Sequence, residues 1–276
     1  MLKETHSLKT ERSKEQRMLN LRALRNEELN RVLSSFPQEA HILELGAGAG
    51  WQALTLKSEG HHVQAVDLKN SSYLDHAVFP VIPYDGHSLP FNSGSFDVVF
   101  SSNVLEHIQH LDRFNEEIHR VLKPLGIAIH VLPTGSWRFW TSITHPAWVI
   151  RRIFEIVQQR YMTSDSLSKV SISANARWYH AIWPNRHGEK GNSLTELYHF
   201  SRYTWRKHFT CHGWTLLKVK PLGIFYTGNQ IFHNHLNFQL RSALANIFGS
   251  SSCVYICKGR YSLSQNKNAT HQGDKN

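Results

Sequence analysis

In ILELGAGAG (residues 42–50), strand-forming residues end in Glu44 and run into Gly46, Gly48 and Gly50. Glycines at alternate positions let a backbone turn tightly and approach a ligand with no Cβ in the way, and a nucleoside ligand fits such a bend. Dinucleotide sites use G-x-G-x-x-G. Here position 51 is Trp51 and the spacing is G-x-G-x-G, which disfavours a nicotinamide dinucleotide. Glu44 instead places a carboxylate where it could accept hydrogen bonds from an ammonium group. The next strand-like run, HHVQAVD, ends in Asp67, 23 residues after Glu44, a position from which a carboxylate can take both hydroxyls of a ribose. The third, VFPVIPYD, ends in Asp85 followed by Gly86, placed to accept from an adenine amino group. Singly, the glycines could be a plain turn, Asp67 a helix cap and Asp85 a turn former in YDGHS. Three successive strand ends each delivering an acid favour one shared site, because ligands of open α/β sheets bind at the carboxyl ends of the strands.

These carboxylates need a parallel sheet to gather them. From His41 the pattern is short β-type runs separated by helical stretches: HILEL, HHVQAVD, VFPVIPYD, FDVVFSS and GIAIHVLP. This is βαβ grammar, and it predicts a doubly wound α/β fold with helices around residues 50–59, 71–77 and 111–122. Pro80 and Pro83 lack amide donors, so the third strand is expected at a sheet edge. Asp112 is expected to cap the helix carrying Phe114, Ile118, Val121 and Leu122, with Lys123, Pro124 and Gly126 stopping it. A helix near residues 202–211, strands from Trp214 and Cys253, and a further helix between them close the sheet, with the last two strands antiparallel.

Before this core, Met18, Leu21, Leu24, Leu29, Val32, Leu33 and Phe36 recur at helical steps, so residues 1–40 are expected to be a helical flank, either a hairpin or one bent helix. The core spans 41–133. After Pro133 the grammar lapses, and 134–200 is expected to be an inserted substrate-recognition region. Within it Val149, Ile150, Ile153, Phe154, Ile156, Val157 and Tyr161 share one helical arc, expected to pack on the protein's own core, with membrane contact as the alternative. Residues 201–261 complete the sheet, and 262–276 are polar and expected to be disordered.

The 276 residues, 41% hydrophobic and 19% charged, exclude a disulfide-stapled mini-fold. No apolar run reaches spanning length and no secretory signal opens the chain, so the expected location is cytoplasmic, with peripheral contact at the inner membrane face as an alternative. Cys253 and Cys257 in CVYIC lie too far apart along a strand to bridge, which suits a reduced compartment. Of the net charge of +10, residues 1–40 carry +2, 41–150 carry −4 and 151–276 carry +12. The basic C-terminal half could attract a phosphorylated substrate, a nucleic acid or an anionic membrane face, or could simply be a solvated surface. His233 and His235 flank one residue, but no third ligand lies at a recognisable spacing, so no metal is expected.

The run ELGAGAG, AVD, YDGHSLPFNSGSFDVVFSSNVLEHI and RVLKPLG, covering about residues 40–133, resembles the class I S-adenosylmethionine-dependent methyltransferases, especially the type 11 group. The resemblance implies a seven-stranded Rossmann-like sheet in the order 3-2-1-4-5-7-6. It also implies S-adenosylmethionine as cofactor, with S-adenosylhomocysteine as product. Gly46, Gly48 and Gly50 would underlie the methionine part, Asp67 hold the ribose and Asp85 with Gly86 meet the adenine; Glu44, Ser102 and Asn103 complete the candidate cofactor-binding residues. Leu125 departs from the family, which often has glycine in that turn. SSNVLEHI lacks the Asn/Asp-Pro-Pro-aromatic signature of amino-methyltransferases acting on DNA bases. HGEKGNSLTELYHFSRYTWRKHFTCHGW and PLGIFYTGN are similar to methyltransferases of bacterial cell-surface polysaccharide synthesis.

A sulfonium methyl is already activated, so alignment of the nucleophile is the main requirement. If the acceptor is a sugar or phenolic hydroxyl, a general base would help. His107, after strand four, is the first candidate, with His145 in THPAW and Tyr226 in FYTGN in reserve; His107 could equally be a helix-start residue bonded within the fold. The expected reaction is methyl transfer, at oxygen, to a small or lipid-linked and anionic acceptor. RNA methylation and a non-catalytic cofactor-binding scaffold or sensor are the alternatives, although the chain has no evident RNA-binding module.

Overall fold

Side chains leave a β-strand on alternate faces, and in the central strands of this protein both faces are apolar, as parallel strands covered by helices require. The computed structural model describes residues 2–162, 184–229 and 236–259. Its sheet is built from β1 (His41–Leu45), β2 (His62–Leu68), β3 (Val81–Tyr84), β4 (Phe96–Ser102), β5 (Leu122–Pro133), β6 (Thr215–Pro221) and β7 (Ser252–Lys258). On one face Leu43, Leu45, Val99, Ala128, Leu132, Cys253, Tyr255 and Cys257 pack against α3 (Leu111–Val121) and α6 (Arg202–Cys211). On the other, Ile42, Val98, Phe100, Ile129, Val131, Val254 and Ile256 meet Leu29 near the end of α1 (Leu2–Asn30), Val32, Phe36, and Leu56 of α2 (Trp51–Ser58). Each fully buried side chain of this kind contributes about 1.5–3 kcal/mol.

The strand order is 3-2-1-4-5-7-6, as expected. β1 to β5 are mutually parallel where they pair, and β7 lies antiparallel between β5 and β6. β3 occupies the edge that Pro80 and Pro83 demand, with Pro83 opposite Asp67. The N-terminal flank is one helix followed by a 3-10 turn at Leu33–Ser35. α4 (Gly135–Met162), α5 (Glu196–His199) and α7 (Phe238–Phe248) complete the described helices. All three cysteines are free. Among the described residues no helix is long and apolar enough to cross a membrane.

Three expectations are corrected. Residues 71–77 form only a 3-10 turn at Leu74–His76, because the short crossover is tied down at both ends, Ser71 N to Leu68 O at 2.9 Å and Val78 N to Ala49 O at 2.8 Å. Asp112 is not the cap of α3: His110 is, and Asp112 sits in the first turn, 3.0 Å from His212 Nε2. On α4 the stripe does not pack on the core as far as it is described, since Ile150, Ile153 and Phe154 are 69%, 55% and 65% exposed. A 28-residue helix runs about 40 Å at 1.5 Å per residue, and it meets the body through its first turns, at Trp137, Arg138 and Thr141. The side chains of Ile156, Val157 and Tyr161, the polar tail and His233 and His235 lie outside the described residues.

Candidate functional site

The bend after β1 holds Gly46, Gly48 and Gly50 at φ of 64°, 57° and 78°, a left-handed conformation that glycine adopts freely. The three positions differ in surroundings. A Cβ on Gly46 would lie 2.5 Å from Val104 Cγ2, and one on Gly50 2.6 Å from Phe79 Cβ. A Cβ on Gly48 would have no neighbour nearer than 3.8 Å, so this peptide is the open one. Asp67, at the end of β2, accepts from Gly48 N at 2.6 Å and Leu68 N at 2.6 Å. Asp85, just beyond β3, accepts from His87 N at 2.8 Å and Ser88 N at 2.9 Å. Those amides, Ser88 first, hold its carboxyl below the usual range.

Gly46, Gly48, Asp67, Asp85, Gly86, Asn103 and His107 line one cleft of about 980 Å³ at the carboxyl ends of β1 to β4. Tyr73, Arg113 and Glu189 also face it. Glu44 sits outside the lining, buried behind the loop, with Oε2 lacking a hydrogen-bond partner among the described residues. Burial pushes its carboxyl up to about 8, with Asp67 adding to the rise and the Ala53 amide opposing it. Gly50 is a packing position rather than a cleft residue. Asn103, at φ 56°, donates to Ser102 Oγ at 3.3 Å. The His107 side chain is 42% exposed, and burial of the rest keeps the imidazole's pKa below its ordinary value.

The reserve candidates lie elsewhere. His145 stacks on Trp148 along α4, at 5.6 Å between ring centroids. Tyr226 is buried, and its hydroxyl donates to Glu28 Oε1 at 2.7 Å. Glu28 also receives Arg25 Nη1 at 2.6 Å and Asn103 Nδ2 at 3.4 Å, so α1 inserts a charged pair directly behind the cleft. Burial, reinforced by Glu28, drives the Tyr226 phenol well above its usual pKa. An (i, i+3) Arg–Glu pair on a helix surface is unremarkable in sequence; only docking of α1 makes it part of this wall.

A second group adjoins His107. Glu106, in the 3-10 turn Leu105–His107, is buried with both carboxylate oxygens unpartnered among the described residues. Burial, helped by Glu28, pushes it up to about 8. His187 packs at 4.6 Å from both the His107 and Trp137 rings, and burial takes it down to about 3. The segment carrying His187 is fixed by Glu196, whose Oε1 accepts from His187 N at 2.6 Å and Gly188 N at 2.7 Å. Glu196 in turn lies 3.1 Å from the buried Arg138 guanidinium.

Residues 43–130 match the profile of the methyltransferase domain family. Residues 43–130 thus form a methyltransferase domain, and the strand order around it is that of the class I S-adenosylmethionine-dependent methyltransferase fold. This methyltransferase domain is 40% identical over 100 residues to the human mitochondrial arginine-hydroxylase NDUFAF5, covering 34% of this chain and 29% of that protein. It is 30% identical over 93 residues to a malonyl-[acyl-carrier protein] O-methyltransferase of Erwinia billingiae, covering 32% and 37%. The matches thus span about a third of the length of these curated relatives. An S-adenosylmethionine-dependent methyltransferase from Mesorhizobium loti shares the fold at a TM-score of 0.51 and 17% identity, over 84% of this chain and 97% of that one.

Proposed function

We propose that this chain transfers a methyl group from S-adenosylmethionine to a hydroxyl oxygen of a small or lipid-linked acceptor, releasing S-adenosylhomocysteine. The observation that carries the reading is the gathering of Gly46, Gly48, Asp67, Asp85, Gly86 and Asn103 around one cleft. The residues fit the cofactor. The open peptide at Gly48 and the orphaned Glu44 oxygen behind it suit the methionine part, Asp67 the ribose, and Asp85 with Gly86 the adenine. Ser102 and Asn103 flank them, and Gly50 keeps the bend close to Phe79.

When bound, S-adenosylmethionine supplies a sulfonium-activated methyl group. The remaining work is positioning and proton removal. His107 lines the cleft as a neutral imidazole, the form that can accept a hydroxyl proton. The malonyl-carrier O-methyltransferase similarity supports transfer to oxygen. The +12 balance of residues 151–276 and Arg113 at the cleft support an anionic acceptor. Glu189 brings the inserted region to the cleft, in keeping with substrate recognition there. The C-terminal resemblance favours a cell-surface polysaccharide precursor.

Labelled methyl donor, supplied with the protein to fractionated extract of the source organism, is expected to mark one acid- or lipid-soluble fraction. Calorimetry is expected to register S-adenosylhomocysteine in the micromolar range usual for such ligands, ~1 μM to 1 mM. No heat from either cofactor form would end this reading. Asp67→Ala is expected to weaken product binding by about tenfold or more, a loss of about 1.4 kcal/mol.

A further inference from the structure

We infer that Glu106, His107 and His187 form a binding site for a divalent first-row transition ion beside the cofactor cleft. His107 Nε2 lies 3.8 Å and His187 Nε2 3.9 Å from Glu106 Oε1, and the three ligand atoms lie within 4.8 Å of one another. A tetrahedral ion with bonds of about 2.0–2.1 Å holds neighbouring ligands roughly 3.4 Å apart, so each imidazole has to approach the carboxylate by about half an ångström, and the two imidazoles, within 4.8 Å of each other, have to close by at most about 1.4 Å. At the present separations no hydrogen bond joins these groups, so the arrangement has no internal partner for its carboxylate. The Glu106 side chain is fully buried, and both oxygens lack a hydrogen-bond partner among the described residues.

The surroundings fix this geometry. Glu189 N donates to Glu106 O at 2.9 Å, and a Cβ on Gly188 would lie only 2.9 Å from that same carbonyl. Glu196 holds the His187 and Gly188 amides, and Trp137 packs on the His187 ring. The inserted region is thus seated on the turn after β4 so that its imidazole faces the Glu106 carboxylate. Two imidazoles and one carboxylate suit zinc, iron or manganese rather than magnesium or calcium, which take all-oxygen shells. Three protein ligands also leave a position open, and because His107 lines the cleft, that position is suited to an oxygen of the acceptor. An ion there would lower the pKa of a bound hydroxyl in place of His107 acting as proton acceptor. That last role rests on the methyl-transfer reading; the binding site does not. His107 and His187 are 80 residues apart, which is why no ligand spacing is visible in the sequence.

The test uses the full chain without a histidine tag, stripped by chelator. One equivalent of Zn²⁺ is expected to bind by calorimetry, and Co²⁺ to give visible d–d absorption. Mg²⁺ is expected to give no heat. His187→Gln and Glu106→Gln are each expected to weaken Zn²⁺ by about a hundredfold or more, at or beyond the upper end of what outer-shell changes cost. The half-exposed His187 variant should keep its circular dichroism and its S-adenosylhomocysteine affinity, which excludes misfolding. His212→Gln serves as a control for the other His/Asp cluster, Asp112, His208 and His212. Absence of Zn²⁺ and Co²⁺ binding, or binding that survives H187Q and E106Q or is lost only in H212Q, overturns the site. Failure of product binding alone would remove the methyltransferase reading and leave the metal site standing.

Discussion

Glycines that look alike in GAGAG carry different loads. Gly46 and Gly50 are held by neighbours that leave no room for a methyl group, Val104 and Phe79, while Gly48 is open. Gly46→Ala is therefore expected to lower the melting temperature more than Gly48→Ala. The latter carries only the left-handed backbone cost of about 1–2 kcal/mol, and differential scanning calorimetry on the two variants checks the order. An equal loss would mean that Val104 yields freely. That Gly46, Gly48, Asp67 and Asp85 line one cleft was legible because it depends on local type and strand-end position. The packing role of Gly50 was not, since Phe79 comes from the next crossover. Nor was the locking of Tyr226: its partner Glu28 is 198 residues away, and nothing in FYTGN signals it. At His107, His107→Gln is expected to lower kcat for methyl transfer by about 10²-fold or more if it is the proton acceptor, with product affinity unchanged. A loss confined to KM would instead assign it to acceptor binding.

Helices and loops were legible to the extent that their periodicity serves the core. α3 supplies Phe114 and Ile118 to one face of the sheet, as their spacing predicts, and α6, expected only as a helix near residues 202–211, adds Trp205 and Phe209. The stripe on α4 has the same spacing yet stands exposed at Ile150, Ile153 and Phe154, because hydrophobic periodicity reports an amphipathic helix without naming what it meets. The segment from Asn185 to Ser193 has no periodicity at all and is held by polar contacts: Arg138 donates to Ser193 O at 3.0 Å and to Asn185 O at 3.1 Å, and Glu196 takes two amides. Glu196→Ala leaves the Arg138 guanidinium buried without its counter-charge, and removing one partner of a buried pair costs about 3–5 kcal/mol. Chemical denaturation should register that loss, and hydrogen exchange should show the Gly188 amide deprotected. A change under about 1 kcal/mol would put the pair in the class of exposed bridges.

For the whole molecule, the edge position of β3 followed from Pro80 and Pro83, while the full strand order came from the resemblance to class I methyltransferases and not from the strand runs themselves. The way the ends close on it is tertiary: Arg31 Nη1 donates to Leu222 O and Gly223 O, both at 2.8 Å. Global stability should also depend on pH through His130, buried between Ser101, at 2.8 Å, and the Phe209 ring. Burial, and then His208, take its pKa down to about 3. The unfolded chain therefore binds the proton first, and the contribution of neutral His130 is complete above about 6.5 and lost as pH falls toward 3, by at most about 1.4 kcal/mol per unit. Urea midpoints from pH 7 to 4.5 should fall more steeply for the native protein than for His130→Gln, and parallel curves would refute the assignment. Because β7 lies between β5 and β6, β6 pairs with no other strand among the described residues, and that partner is complete only once Lys258 has left the ribosome. Until then both β6 and the edge of β5 that β7 will cover lack a hydrogen-bonded neighbour, and unpaired strand edges of that kind are open to wrong pairing while the chain is incomplete.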